Sequence, residues 1–84
     1  MKSIYDKRIA VGNEFLRIAE SIHLFAEKNL KKFGRNPFLL TDEEVEKFYS
    51  ALEFEKEIQD RNIAIEINIV SANKKREIYI DRGM

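Results

Sequence analysis

Glu20, His23 and Glu27 are the residues whose types and spacing come nearest to chemistry. On a helix, Glu-x-x-His stacks a carboxylate and an imidazole on neighbouring turns, with Glu27 one turn further on. Glu-x-x-His is also the inward-facing unit of di-iron helical bundles, a site that needs more carboxylates from other helices. Glu53 or Glu57 of a second copy are the candidates to supply them. The plainer account weighs more: a boundary histidine beside Ala19 and Ala26, flanked by solvated helix charges. No metal site is assigned and no cofactor is expected.

Other catalytic arrangements find less support. His23 is the single histidine and there is no cysteine, which excludes a disulfide, thiolate chemistry and a cysteine-type zinc site. Ser21 and Ser50 have no triad around them. Gly12, Gly34 and Gly83 form no phosphate-cradling loop. The chain reads as non-enzymatic.

Charge offers more. The formal net charge is zero, which gives no general attraction to nucleic acid. The distribution is uneven, however. Residues 1–40 carry eight Lys/Arg against four Asp/Glu, residues 41–60 two against eight, and residues 61–84 five against three. An acidic face is expected from Glu46, Glu53, Glu55 and Glu57. Lys74, Lys75 and Arg76 form a basic cluster that could contact phosphate. A second basic surface runs through Lys7, Arg8, Arg17, Lys28, Lys31, Lys32 and Arg35, interrupted by Glu14, Glu20 and Glu27. Such blocks can complement one another within a fold or across a contact between copies.

Three elements must position these groups. A first helix is expected over residues 4–33, with Ser3 and Asp6 resembling a capping box. Its apolar face carries Ile4, Val11, Phe15, Ile18, Ile22 and Phe25 beside a second stripe of Leu16, Ala19, His23, Ala26, Leu30 and Phe33. That face is broader than a coiled-coil seam. Unbroken, the helix would be about 45 Å long. Gly12 is its natural break point, yet the apolar register through Val11 and Phe15 favours a continuous or mildly kinked rod. Gly34 reads as its C-terminal signal, opening a connector over 34–41 that contains Pro37. The second helix is expected over 42–60. Its start has the strongest local signature in the chain: Thr41 as N-cap, Glu44 completing the capping box, and Leu40 with Val45 as hydrophobic staple.

Residues 63–81 then alternate. Ile63, Ile65, Ile67 and Ile69, followed by Ile78 and Ile80, take every second position, the pattern of strands with one buried face. A turn around Asn73 and Lys74 pairs Ile69 with Ile78 and Ile67 with Ile80, leaving Glu66, Asn68, Glu77, Tyr79 and Asp81 on a wet face. The expected fold class is α+β: two antiparallel helices and a C-terminal β-hairpin, in one domain over 1–84. A two-stranded sheet is marginal alone, and an Ile-rich edge over 63–70 invites pairing with another strand. The expected assembly is a homo-oligomer.

These readings favour a small non-enzymatic protein-interaction or regulatory module, binding itself and an unidentified protein partner through its isoleucines, its acidic face, or both. The alternative is a nucleic-acid-binding regulator using the basic first helix and the hairpin tip. No apolar run approaches the roughly 20 residues that span a bilayer, and the first residues lack the apolar core of a signal peptide. A cytoplasmic location without membrane association is the corresponding expectation.

Overall fold

A computed structural model describes residues 2–23 and 25–82 of the chain, and for 75–82 the backbone alone. Its described residues form four α-helices and one 3-10 turn, with no strand: α1 (Ile4–Ser21), α2 (Glu27–Arg35), a 3-10 turn (Pro37–Leu39), α3 (Asp42–Ala51) and α4 (Lys56–Arg82). The fold is all-helical, and the α+β expectation with its C-terminal hairpin is overturned.

The first helix divides, and not at glycine. Ser3 caps α1 as expected, accepting from the Asp6 amide at 3.2 Å. The break comes at Ile22, whose backbone is extended at φ −115° and ψ 116°. From there the chain turns back so that α2 packs against α1. The reason lies in the breadth of the apolar face. A rod over 4–33 would leave that face uncovered along its length. Folded at the break, its halves cover each other, and Phe15, Ile18 and Ala19 join Ile22, Ala26, Leu30 and Phe33 in one core.

Gly12 and Gly34 mark the close approach of this hairpin. A Cβ on Gly12 would sit 3.0 Å from the Gly34 carbonyl oxygen and 3.2 Å from the Pro37 ring. One on Gly34 would sit 2.8 Å from Leu16 and 3.0 Å from the Gly12 carbonyl oxygen. Both glycines are helical and buried. They serve as contact points between helices, not as a hinge and a terminator.

The α3 start forms as its sequence implies. The Glu44 amide donates to Thr41 Oγ1 at 3.2 Å, and the Thr41 amide donates to Glu44 Oε1 at 2.7 Å. Leu40 and Val45 are both buried. Phe48 meets Phe15 edge-to-face at 5.2 Å, seating α3 on α1. The helix ends at Ala51, short of residue 60, and the chain turns through Leu52–Glu55 into α4.

Arg8 ties the connector down. Its guanidinium is buried and donates to the carbonyl oxygens of Pro37 at 2.7 Å and Leu40 at 2.5 Å, and to Asp42 Oδ1 at 2.5 Å. It also lies over the Phe38 ring. Both carbonyls accept from Nη1 while Nη2 donates to Asp42, so the planar fork joins the connector to the α3 start.

A 27-residue α4 replaces the hairpin. At about 100° per residue, positions two apart lie on opposite sides of a helix and positions four apart on the same side. The alternating isoleucines therefore split into two stripes. Ile63 and Ile67 are 2% and 0% exposed and join the core with Ala64, whereas Ile65 and Ile69 are 56% and 50% exposed. The expected register of Ile69 with Ile78 and Ile67 with Ile80 does not exist. No Gly or Pro occurs between Lys56 and Arg82 to break the helix, and Asn73-Lys74 lacks the glycine that favours a two-residue hairpin turn.

Polar contacts hold α4 in place. Asn29 of α2 donates to Asn68 Oδ1 at 2.8 Å and accepts from the Ser71 hydroxyl at 3.3 Å. Arg17 reaches Asp60 at 3.3 Å, and Lys47 of α3 reaches Glu66 at 2.8 Å.

Candidate interaction surface

The groups first considered for chemistry are separated by the fold. Glu20 lies near the end of α1, His23 falls in the break, and Glu27 begins α2; Glu20 and His23 are exposed. Glu27 pairs with Lys31 at 2.9 Å, one turn along. The hydrogen bond from Lys31 holds the Glu27 carboxyl below the ordinary carboxylate range, helped by the charge of Lys31 and then by that of His23. These are surface electrostatics. Among the described residues no group of three His, Cys, Asp or Glu gathers to hold a metal ion.

The acidic face divides as well. Glu46 is on α3 and bonds Lys7 at 3.0 Å. Glu53 and Glu55 lie in the turn after α3, and Glu57 is in the first turn of α4. Three elements carry the four residues, so they do not form one face of a single helix.

The basic groups are largely engaged inside the molecule. Arg8 is buried, Lys7 pairs with Glu46, Arg17 with Glu14 and Asp60, and Lys31 with Glu27. Lys74, expected at a hairpin tip, is on α4, where it contacts Glu44 at 3.3 Å and donates to the Leu39 carbonyl oxygen. Lys75 and Arg76 continue that helix, as do Ile78 and Ile80; the side chains of these four lie outside the described residues. Lys28 and Lys32 line an opening of about 580 Å³ with Asn29, Ser71 and Phe25, and Phe25 is 90% exposed.

The most coherent surface is on α4. Ile58, Ile65 and Ile69 are all at least half exposed. Counted around the helix, they fall within about 40° of one another. Ile63, Ala64 and Ile67 occupy the opposite side and are buried against the rest of the fold. This helix is apolar on two opposite sides, only one of which the described residues cover. The exposure of Ile58, Ile65 and Ile69 shows that no other described residue covers the second side.

The expected interface residues are thus divided, with Ile65 and Ile69 on the surface and Ile63 and Ile67 in the core. Ile58 joins the exposed stripe although its sequence position placed it at the end of the second helix. A helical count from Ile58, in steps of four and three, reveals it; the two-residue period conceals it. No helix among the described residues is long and apolar enough to cross a membrane.

Comparison with protein-family models, curated proteins and solved structures finds no match. The surface is therefore read from its geometry.

Proposed function

We propose that this chain is a small non-enzymatic protein-interaction or regulatory module that works as a homo-oligomer. The observation that carries the reading is the outward stripe of Ile58, Ile65 and Ile69, at 69%, 56% and 50% exposure. Single exposed apolar residues are ordinary, but three branched side chains aligned on one helix face make an apolar stripe of the kind that marks association. The strand edge once expected to carry this role is absent, so the role passes to a helix face. A cytoplasmic location and an additional protein partner belong to the same proposal.

The nucleic-acid alternative loses the hairpin itself, and Lys7, Arg8, Arg17, Lys31 and Lys74 have internal partners. Lys28, Lys32 and the exposed Phe25 are what still support it, since an aromatic beside lysines suits a stacked base.

The test is the solution mass of the full chain by light scattering over a range of concentrations. We expect a mass above the 9.9 kDa of one chain that rises with concentration. Ile65→Asp should return it to the single-chain value with helicity unchanged. A monomer at every concentration would refute the reading. Salt-sensitive binding of oligonucleotide by that monomer would favour the alternative.

A further inference from the structure

We infer that α4 pairs with the α4 of a second copy as a short, parallel, in-register coiled coil along Ile58, Asn62, Ile65, Ile69 and Ala72. This rests on the self-association proposed above and assigns its occupant, register and direction.

The spacing from Ile58 runs four, three, four, three. That is the alternation of a and d positions in a heptad, with Ile58, Ile65 and Ala72 at d and Asn62 and Ile69 at a. All five residues are exposed. The next step reaches Arg76, where the apolar stripe stops. The body of the molecule lies on the other side of α4, against Ile63, Ala64 and Ile67, and leaves the seam accessible.

Asn62 decides the direction. In an antiparallel pair, a positions face d positions, so Asn62 would meet Ile58, Ile65 or Ala72. Its amide would then be enclosed against an apolar side chain. In a parallel pair, Asn62 meets the partner's Asn62, and the two amides can hydrogen-bond each other. A single buried Asn at an a position is known to specify register in this way.

The flanking charges agree. Arg61 occupies a g position and Glu66 an e position. Parallel pairing brings each g residue to the e residue five places on in the other chain, so Arg61 meets the partner's Glu66 on both sides of the two-fold axis. The antiparallel register that aligns Ile65 with Ile69 would instead set Glu66 against the partner's Glu66. Glu66 already accepts from Lys47 through Oε2. Among the described residues nothing donates to its Oε1, which is left to take the second cation. The seam spans about two heptads, so the pairing should be weak and dissociate on dilution.

Because the chain has no cysteine, single substitutions report the geometry directly. Ala72→Cys in the full chain should give a disulfide-linked dimer under mild oxidation. The yield of the link should fall when oxidation is run at lower protein concentration and vanish when Ile65→Asp is added. If light scattering shows a dimer but A72C does not cross-link, while mixed N62C and A72C chains or mixed I58C and I69C chains do, the pairing is antiparallel. The inference then fails and the homo-oligomer stands. A dimer whose mass is unchanged by I65D would place the contact elsewhere and overturn the seam. A monomer at all concentrations would overturn both the seam and the proposal beneath it.

Discussion

Arg8 shows how a residue's role follows from its neighbours more than from its charge. Its position near the start of a basic segment implies a surface cation. The fold buries it to 8% exposure and gives it two carbonyls and a carboxylate. Asp42 is 74% exposed on its side chain, so water can solvate it if Arg8 is lost. The Pro37 carbonyl keeps the Leu40 amide as a donor, whereas the Leu40 carbonyl has Arg8 alone among the described residues. Arg8→Met should therefore cost about 1–3 kcal/mol, mainly through that one unpaired acceptor. Arg8→Lys should recover only part, because one ammonium cannot hold the carbonyls that Nη1 reaches and also the Asp42 oxygen that Nη2 reaches. Urea denaturation followed by circular dichroism measures both. Glu27 is the contrast. Its lowered pKa means that its pairing with Lys31 stabilises the fold above the unfolded carboxylate range and is lost as pH falls through the folded value. The pair lies at the surface, where solvent screens it, so the effect on the unfolding midpoint should be slight.

At the scale of elements, α4 separates two readings of the same residues. If residues 63–81 were a hairpin, Ile65 and Ile67 would share one buried face and their replacement by Lys would be equally harmful. On α4 they are on opposite sides. Ile67→Lys should then cost several kcal/mol by placing a charge in the core, whereas Ile65→Lys should leave the unfolding free energy of the monomer within about 0.5 kcal/mol. The pair of variants, compared by chemical denaturation at low protein concentration, tests the secondary structure of this segment without any further structure. The two glycines belong to the same scale. Gly12 and Gly34 let α1 and α2 approach until a main-chain oxygen of each lies 3.0 Å from where the other's Cβ would be. Proximity in space, not the punctuation of the sequence, accounts for them.

At the scale of the molecule, the uneven charge distribution resolves into local neutralisation. Lys7 with Glu46, Arg17 with Asp60 and Lys74 with Glu44 each join a basic segment to the acidic middle of the chain. The apolar surface is not neutralised in the same way, since one side of α4 has no cover among the described residues. If a second copy supplies it, folding and association are linked, and the stability must depend on concentration. The midpoint of thermal unfolding should rise as the protein is concentrated, and Ile65→Asp should abolish that dependence while retaining the dilute-limit midpoint. A midpoint independent of concentration in the parent chain would mean that the outer stripe is left in water.

Local rules settled the features whose partners lie within a few residues. Ser3 and Thr41 cap the helices expected to follow them, and Val11, Phe15, Ile18, Leu30 and Phe33 form the core that their helical spacing implies. What local rules left open was decided by contacts distant in the chain. The break at Ile22 has no glycine or proline to announce it; it follows from the need to bury a face too broad for one rod. Arg8 became a clamp only when Pro37 and Leu40 were brought beside it. Above all, alternating isoleucines satisfy a strand and, in a helix, two opposite stripes. The sequence by itself determined that residues 63–69 would be apolar at every second position. Only the packing of Ile63 and Ile67 against the other helices decided that the segment is a helix, leaving Ile65 and Ile69 facing outward.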